Sequence, residues 1–332
     1  MAKNIRMADI AERLGVSIVT VSKALRGKDG VSEELRAEVI RTAEKLGYVM
    51  KGAEPTGFSI GILTSSRYLA RGTSFYWSLY ERLLTHLTAG KDFGMLEVIS
   101  TEDEEGAVIP RVLLENRVQG IIVMGKLSPA YLRMIAGLGV PYTLLDTYEV
   151  GMQCDTVISA GYMGMCDMTS YLLRRGHRRL KFVGTIGATS SITDRYYGFC
   201  RALTDAGIEV TPDMVISDRG PDGMSNIVLP SDIRSTTTGL VCNCDFTAYT
   251  VFTKLSAMGI RVPEDISIVG FDNYILSEMS TVGITTYSID QDEMASASAA
   301  QIRKRILHPE RRPERITING TIIERDSVRR LS

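Results

Sequence analysis

The residues with the plainest chemistry lie near the N-terminus, in Met7-Ala-Asp-Ile-Ala-Glu-Arg-Leu-Gly-Val-Ser-Ile-Val-Thr-Val-Ser-Lys-Ala-Leu25. Ile18, Val19, Ser22 and Lys23 share one end of a helical face, offering two branched apolar groups, a hydroxyl and an ammonium. Such a set suits base edges: the branched side chains meet thymine methyl groups, and a lysine reaches a guanine edge or a phosphate. These groups must be held out from a folded support, and the flanking sequence predicts one. Ile10, Ala11 and Leu14 recur at helical spacing, so residues 7–14 read as a short amphipathic helix. Gly15 tolerates the positive φ of a sharp helix exit, and Ser17 can cap a second helix. Val16, Val21 and Leu25 give that second helix an inner face against Ile10 and Leu14. A third helix spans 31–48, with Ser32 as cap and Leu35, Val39, Ala43 and Leu46 inward. Two short helices about a Gly-containing turn, the second exposing its first turns, form the arrangement that enters a DNA major groove. The competing reading buries Ile18 and Val19, but Val16, Val21 and Leu25 already fill the inner face.

Bulk properties agree with a DNA-reading end on a larger body. The chain has 332 residues and a net charge of −1, so as a whole it is no generic binder of polyanions. Residues 1–51 differ, with ten Lys or Arg against seven Asp or Glu, a net of +3 where phosphate contacts would be wanted. No apolar run reaches the length of a membrane span, and Met-Ala-Lys-Asn-Ile-Arg leads into the first helix without a hydrophobic signal region. The expected location is the cytoplasm, with the five cysteines (154, 166, 200, 242, 244) as reduced thiols. Cys242-Asn-Cys244 lacks a second pair of metal ligands, so no metal is expected. There is no P-loop, no Gly-x-Ser-x-Gly and no His-Glu-x-x-His, and His86, His177 and His308 are far apart in sequence. The expectation is a protein that is not an enzyme and carries no cofactor.

Residues 49–57 lose periodicity and carry Gly52, Pro55 and Gly57, which marks a linker. Beyond it, short β-rich runs alternate with helical stretches. Strands are predicted at 59–63, 95–100, 120–124, 142–146, 156–159, 180–185, 214–217, 239–242, 266–271 and 283–288. Helices are predicted at 74–89, 162–175, 194–206, 245–258 and 291–307. Continuous apolar strands joined by helices make parallel sheets covered on both faces. The predicted fold is a small all-α helix-turn-helix domain followed by an α/β two-lobed core, with a cleft where the carboxyl ends of strands converge.

Asp-Ile-Ala-Glu…Gly-Val-Ser…Thr-Val-Ser-Lys-Ala-Leu…Leu-Gly-Tyr across 9–48 resembles the DNA-binding headpiece of the LacI/GalR regulators. The likeness continues through Leu-Arg-Arg-Gly-His-Arg-Arg-Leu-Lys-Phe-Val-Gly at 173–184, Asp-Arg-Tyr-Tyr-Gly-Phe at 194–199, and Val-Pro-Glu-Asp-Ile-Ser-Ile-Val-Gly-Phe-Asp-Asn at 262–273. These resemble that family's effector core, which is similar to periplasmic sugar-binding proteins. The resemblance implies a headpiece at 1–51, a linker at 52–57 and a core at 58–332. The N-lobe would hold about 58–158 and 290–319, and the C-lobe about 159–289 and 320–332, with crossings near Ile158, Ile289 and Gly320. It implies DNA contacts by Ser17, Ile18, Val19, Thr20, Ser22, Lys23 and Tyr48, with Ser17, Thr20 and Tyr48 suited to phosphates. Arg195, Asp272 and Asp146 fall on ligand positions and suit vicinal hydroxyls; Ser65, Ser191, Phe75 and Cys244 complete the candidate site. For Arg195 and Asp272 the other reading is an interlobe or helix-cap salt bridge, and for the aromatic run 75–77 it is core packing.

The implied function is a homodimeric regulator, a repressor by type, on a near-palindromic operator, with a carbohydrate effector setting DNA affinity. Departures are plain. The linker lacks the family's Pro-Asn…Ala-Arg…Leu hinge pattern, which predicts weaker minor-groove bending. Cys244-Asp245 and Ala160-Gly161 stand where Asn-Asp and Asp-Asn pairs are usual, which opens the alternative of a degenerate cleft answering to a protein partner or to no ligand.

Overall fold

The computed structural model describes residues 6–25, 28–46, 48, 57–69, 75–114, 117–220, 223, 225–273 and 281–331. The chain divides into two compact units, Met1–Thr56 and Gly57–Ser332. Of the expected linker, residues 52–56 lie outside the described residues.

The first unit holds α1 (Met7–Leu14), α2 (Ile18–Leu25) and α3 (Glu33–Leu46). Gly15 ends α1 in the left-handed region, φ 62°, where a Cβ would be strained. Ser17 Oγ accepts the Thr20 amide at 3.0 Å, and Ser32 Oγ accepts the Leu35 amide at 3.3 Å, so both expected caps form. The core is Ile10, Ala11, Val21, Ala24, Val39 and Ala43, with Leu14, Val16, Leu25, Leu35 and Leu46 packed against it. Arg36, counted above with the cations available to phosphates, donates instead to Ala24 O at 3.3 Å and Lys28 O at 3.0 Å. It thereby caps carbonyls at the carboxyl end of α2.

The second unit begins with β1 (Ser59–Ser65), α4 (Ser66–Leu69), α5 (Phe75–Ala89), β2 (Phe93–Ile99), α6 (Thr101–Glu105) and α7 (Arg111–Leu114). It continues through β3 (Gly120–Met124), α8 (Pro129–Gly137), β4 (Tyr142–Leu145) and β5 (Asp155–Ser159). After Ser159 the chain enters a second lobe with α9 (Gly161–Arg174), β6 (Leu180–Val183), α10 (Ser190–Asp205) and β7 (Val215–Ile216). There follow α11 (Ile233–Thr236), β8 (Gly239–Cys242), α12 (Asp245–Ala257), β9 (Ser267–Asp272) and β10 (Thr285–Ile289). The chain then returns to the first lobe through α13 (Gln291–Leu307) and β11 (Arg315–Ile318), and Asn319 leads it back for β12 (Gly320–Ile323).

Each lobe is built on a six-stranded sheet, ordered β11-β5-β4-β3-β1-β2 in the first and β12-β10-β9-β8-β6-β7 in the second. Among the described strands, every pairing is parallel except β10 with β12. Every residue of β3 and of β9 is buried, as expected of central strands covered by helices on both faces. Two expectations needed correction. The helix predicted at 194–206 starts a turn earlier, because Thr189 Oγ1 accepts the Ile192 amide at 3.1 Å and nucleates it at Ser190. Strands β11 and β12 carried no signal, because most of their residues are half-exposed or exposed and form no apolar run.

Candidate functional site

In the first unit, the described face of α2 is the one the spacing predicted. Ile18 is 53% and Val19 65% exposed, so neither packs inside the headpiece. Lys23 is exposed, Ser22 and Thr20 are half-buried, and Tyr48 packs against the small core. Ser17 Oγ and Thr20 Oγ1 lie 2.8 Å apart, so the two hydroxyls form one capping unit at the start of the helix. Two uncovered β-branched side chains on a capped, rigid helix present methyl groups to a partner at small entropy loss.

In the second unit, the candidate residues sit at the carboxyl ends of strands, where parallel sheets leave a crevice. Asp146 follows β4, and Asp272 ends β9. Both adopt positive φ, 58° and 97°, a conformation that costs roughly 1–2 kcal/mol in an L-residue. Strain at both carboxylates, one from each sheet, marks these strand ends as places where side-chain direction is enforced. Arg195 comes from the second turn of α10, so the early start of that helix is what aims it. Its Nη2 donates to Asp272 Oδ1 at 2.7 Å and its Nη1 to Asn243 O at 2.6 Å, and the guanidinium lies 3.9 Å from the centre of the Phe271 ring. From the first lobe, Tyr76 Oη donates to Asp146 Oδ2 at 2.7 Å. Tyr68 packs on Tyr76 with ring centroids 4.6 Å apart. Gly125 makes room for both rings: a Cβ there would lie 3.0 Å from Tyr68 and 3.1 Å from Tyr76, and its φ is 77°.

The two lobes meet around this cluster. Lys126 Nζ donates to Gly187 O at 3.1 Å and Ala188 O at 2.8 Å, and Tyr148 Oη donates to Asp194 Oδ1 at 2.7 Å. Asp146, Arg195 and Asp272 are 6%, 4% and 8% exposed. Burial pushes the Asp146 carboxyl up to about 6; Asp272 adds to the rise, while Arg195 and Tyr76 oppose it. Burial also lifts Asp272, and Arg195 pulls it back. Burial opposes the charge on Arg195, but Asp272 and Asp146 hold the guanidinium above its ordinary range. Among the described residues, Asp146 Oδ1 and Arg195 Nε have no hydrogen-bond partner.

The other named residues fall around this centre unequally. The Phe75 ring meets the Tyr76 ring edge-on at 5.4 Å. Cys244 caps α12 with its thiol 3.4 Å from Thr247 Oγ1, and burial pushes that thiol up to about 11. Ser191 Oγ is 2.9 Å from Thr189 Oγ1 at the start of α10. Ser65 is engaged within the first lobe: its buried hydroxyl accepts from Arg67 Nε at 2.9 Å and lies 3.5 Å from Glu104. Trp77 is 36% exposed and packs near Tyr80 with ring centroids 5.6 Å apart. Arg195 and Asp272 form a salt bridge inside the second lobe rather than between the lobes. Sequence reasoning missed Tyr68, Asn243 and the pair Asp218–Arg219. Asp218 takes Arg219 at 2.9 and 3.1 Å, Asn243 Nδ2 at 2.8 Å and the Thr185 amide at 2.9 Å. Its signal was available: a charged pair just after a strand, as at Asp146.

Among the described residues, no helix is long and apolar enough to cross a membrane, and no group of three or more His, Cys, Asp or Glu is arranged to hold a metal ion. Residues 6–50 match the model of bacterial regulatory proteins of the lacI family, and residues 169–328 match that of the periplasmic binding protein-like domain. The HTH-type transcriptional repressor PurR of Pectobacterium carotovorum subsp. carotovorum (strain PC1) is 27% identical over 343 residues, covering 96% of each chain. Among solved structures, the transcriptional regulator CelR–cellobiose complex aligns with a TM-score of 0.70 at 21% identity over 97% of this chain and 99% of that one. The lac repressor dimer bound to operator and the anti-inducer ONPF aligns with a TM-score of 0.68 at 19% identity over 98% of this chain and 100% of that one. With a lacI-family headpiece ahead of a periplasmic-binding-protein-like core, and a repressor alike over almost its whole length, the chain belongs to the LacI/GalR family and is a DNA-binding transcription regulator.

Proposed function

We propose that this regulator is a homodimeric repressor of a near-palindromic operator, and that a carbohydrate held between the lobes sets its affinity for DNA. The observation that carries the effector half is the meeting of Asp146 from one sheet with Arg195 and Asp272 from the other. Three polar side chains, nearly excluded from water and leaving a donor and an acceptor unused, suit hydroxyl groups better than they suit a packed core. Because the cluster straddles lobes joined by three chain crossings, a bound molecule has differential contact with open and closed arrangements.

For DNA, Ile18 and Val19 would lie against thymine methyl groups, with Ser22 and Lys23 a turn further on. Ser17, Thr20 and Tyr48 would meet phosphates. Headpiece and core would divide at 1–51 and 58–332, with residues 52–57 linking them. Dimerisation is supported by the outer edge position of β2, where Phe93 is 64% and Val98 44% exposed, and by the dimeric state named for the lac repressor neighbour. The CelR neighbour is named as a cellobiose complex, which supports a saccharide in the cleft. We place the protein in the cytoplasm and assign it no catalytic step, in keeping with relatives named as repressors.

The test is operator binding by fluorescence anisotropy on DNA selected from a random pool, with and without a saccharide panel. Lys23→Ala should weaken binding about tenfold, the scale of one base or phosphate contact. Arg195→Ala should bind DNA normally and ignore the ligand; a normal ligand response in Arg195→Ala would refute the cleft assignment. The second reading, a cleft that answers to a protein partner or to no ligand, is favoured by one feature. Arg195–Asp272 and Tyr76–Asp146 already satisfy most of the polar groups a sugar would use.

A further inference from the structure

Residues 171–181 and 324–331 carry a dense set of cations that neither the headpiece nor the cleft uses. Arg174, Arg178, Arg179, Arg329 and Arg330 are exposed, and none of them has an ion pair among the described residues. Beside them Arg175 pairs with Glu324 at 2.5 Å and lies over the Tyr171 ring. Asp326 is the one carboxylate left in the two segments. A carboxylate on Ser332, which lies outside the described residues, would offset one arginine more. The segments are fastened together by specific bonds. Ser327 Oγ donates to Ile268 O at 2.6 Å, and Ser267 Oγ accepts the Arg329 amide at 3.1 Å. The buried His177 donates through Nε2 to Arg329 O at 3.0 Å, and Arg175 O accepts the Leu331 amide at 2.8 Å. Gly176 sits at φ 92°, where a Cβ would stand 2.9 Å from Leu331 O. Burial holds the His177 ring below its ordinary range, and Arg329 and Arg175 push it the same way, a mark of positive potential at this spot.

The strands of both sheets turn their carboxyl ends to the cleft, so their amino ends form the two outer poles of the core. The chain enters at the amino end of β1, on the pole of the first lobe, whereas Arg178 and Arg179 stand just before β6, on the pole of the second. Other loops of that second pole are not basic. Asp213 takes Lys181 at 3.3 Å, Asp265 takes Arg234 at 3.1 Å and Arg261 at 3.3 Å, and Glu209, Asp232 and Glu264 add acids. The dipole of α9 accounts for Arg174 and Arg175 at its carboxyl end, but Arg178, Arg179, Arg329 and Arg330 lie outside the helix. Guanidinium groups suit phosphate, which they take through two parallel N–H bonds. No large apolar side chain of either segment is exposed, so the patch lacks the apolar centre that a protein partner or a bilayer would bury. Nor is an aromatic ring exposed there for unpaired bases to stack on. Duplex DNA, contacted by its backbone alone, fits best, and its charge density returns the most by counterion release. We propose that the arginine face at the outer pole of the second lobe holds a second DNA duplex through its phosphates, while α2 reads the operator. Neighbouring DNA is at high local concentration around any regulator already bound to an operator, so weak contacts suffice to bridge two segments.

The test loads the full chain onto an operator duplex fixed to a biosensor, then passes a free non-operator duplex over it at about 50 mM and about 200 mM salt. A second mass step should appear at the lower salt. With four phosphate contacts, the affinity of that step should fall roughly hundredfold between the two salts. Replacing Arg178, Arg179, Arg329 and Arg330 together by alanine should leave operator loading unchanged and abolish the second step. Each pair is also replaced alone, Arg178→Ala with Arg179→Ala and Arg329→Ala with Arg330→Ala, and each should about halve the salt slope. The pairs carry the test should the quadruple variant fail to fold. Absence of the second step at the lower salt overturns the proposal. A step that persists undiminished in the variants places the second duplex on headpieces and overturns it equally. Tighter binding of poly-L-glutamate than of the duplex overturns it in favour of an acidic protein partner.

Discussion

Two buried aspartates of the core, Asp155 and Asp146, sit in the same sheet and have opposite fates. Asp155 opens β5 and receives Arg305 Nε at 2.6 Å, Arg305 Nη2 at 3.1 Å, Gln301 Nε2 at 2.9 Å and the Glu314 amide at 2.8 Å. Burial works against its charge, but Arg305 and those partners hold its carboxyl below the ordinary range. It ties α13 and the approach to β11 to the sheet, at the amino end of its strand. Asp146 lies at the carboxyl end of β4 with one donor, an orphaned oxygen, positive φ and a raised carboxyl. A fully satisfied buried carboxylate stabilises the fold; a partly satisfied one is kept at the fold's expense, which supports the proposal that Asp146 is a ligand position.

The largest test of that contrast is Asp155→Ala, which strands Arg305 and should lower the stability of the core by about 3–5 kcal/mol in urea unfolding. A loss under 1 kcal/mol would make Asp155 no anchor. Asp146→Asn should act in the opposite direction and stabilise the ligand-free protein by about 1–3 kcal/mol at pH 8, since each pKa unit is about 1.4 kcal/mol. Destabilisation by Asp146→Asn would remove the distinction between the two sites. The pH dependence follows with opposite signs. Asp146 has a raised folded pKa, about 6 against 3.8, so the folded state binds more protons and stability rises as pH falls from about 6 towards 4. Asp155 has a lowered folded pKa, so its contribution is present above the ordinary carboxylate range and is lost as pH falls below it. Thermal melts of the wild type and both variants from pH 8 to 3 should separate the two. The smallest effect expected is Tyr76→Phe, which frees the second Asp146 oxygen. Its melting temperature at pH 8 should drop by a degree or two, consistent with about 1 kcal/mol for a hydrogen bond to a charged group in a chain of this size.

The headpiece was almost wholly legible in the sequence. Its helices are short, its caps are single residues such as Ser17 and Ser32, and its inner face follows helical spacing, all of which are local properties. The alternation of strands and helices was legible for the same reason, since strands such as β3 are buried on both faces and read as unbroken apolar runs. What depends on distant partners was not. Strands β11 and β12 are held by pairing with β5 and β10 rather than by their own composition. The start of α10, which sets the direction of Arg195, turned on a Thr189 cap hidden in a polar run.

The residue types at 18–19, 146, 195 and 272 were set by the sequence, and so was the class of fold that carries them, because local periodicity and side-chain chemistry need no third dimension. Which of those groups are satisfied was decided only by the tertiary structure. Ser65 proved to be engaged by Arg67 and Glu104, Arg195 by Asp272, and Asp146 proved to be left with one oxygen unmet. Desolvation and hydrogen-bond supply are properties of the packed surroundings, and those surroundings come from segments far apart along the chain.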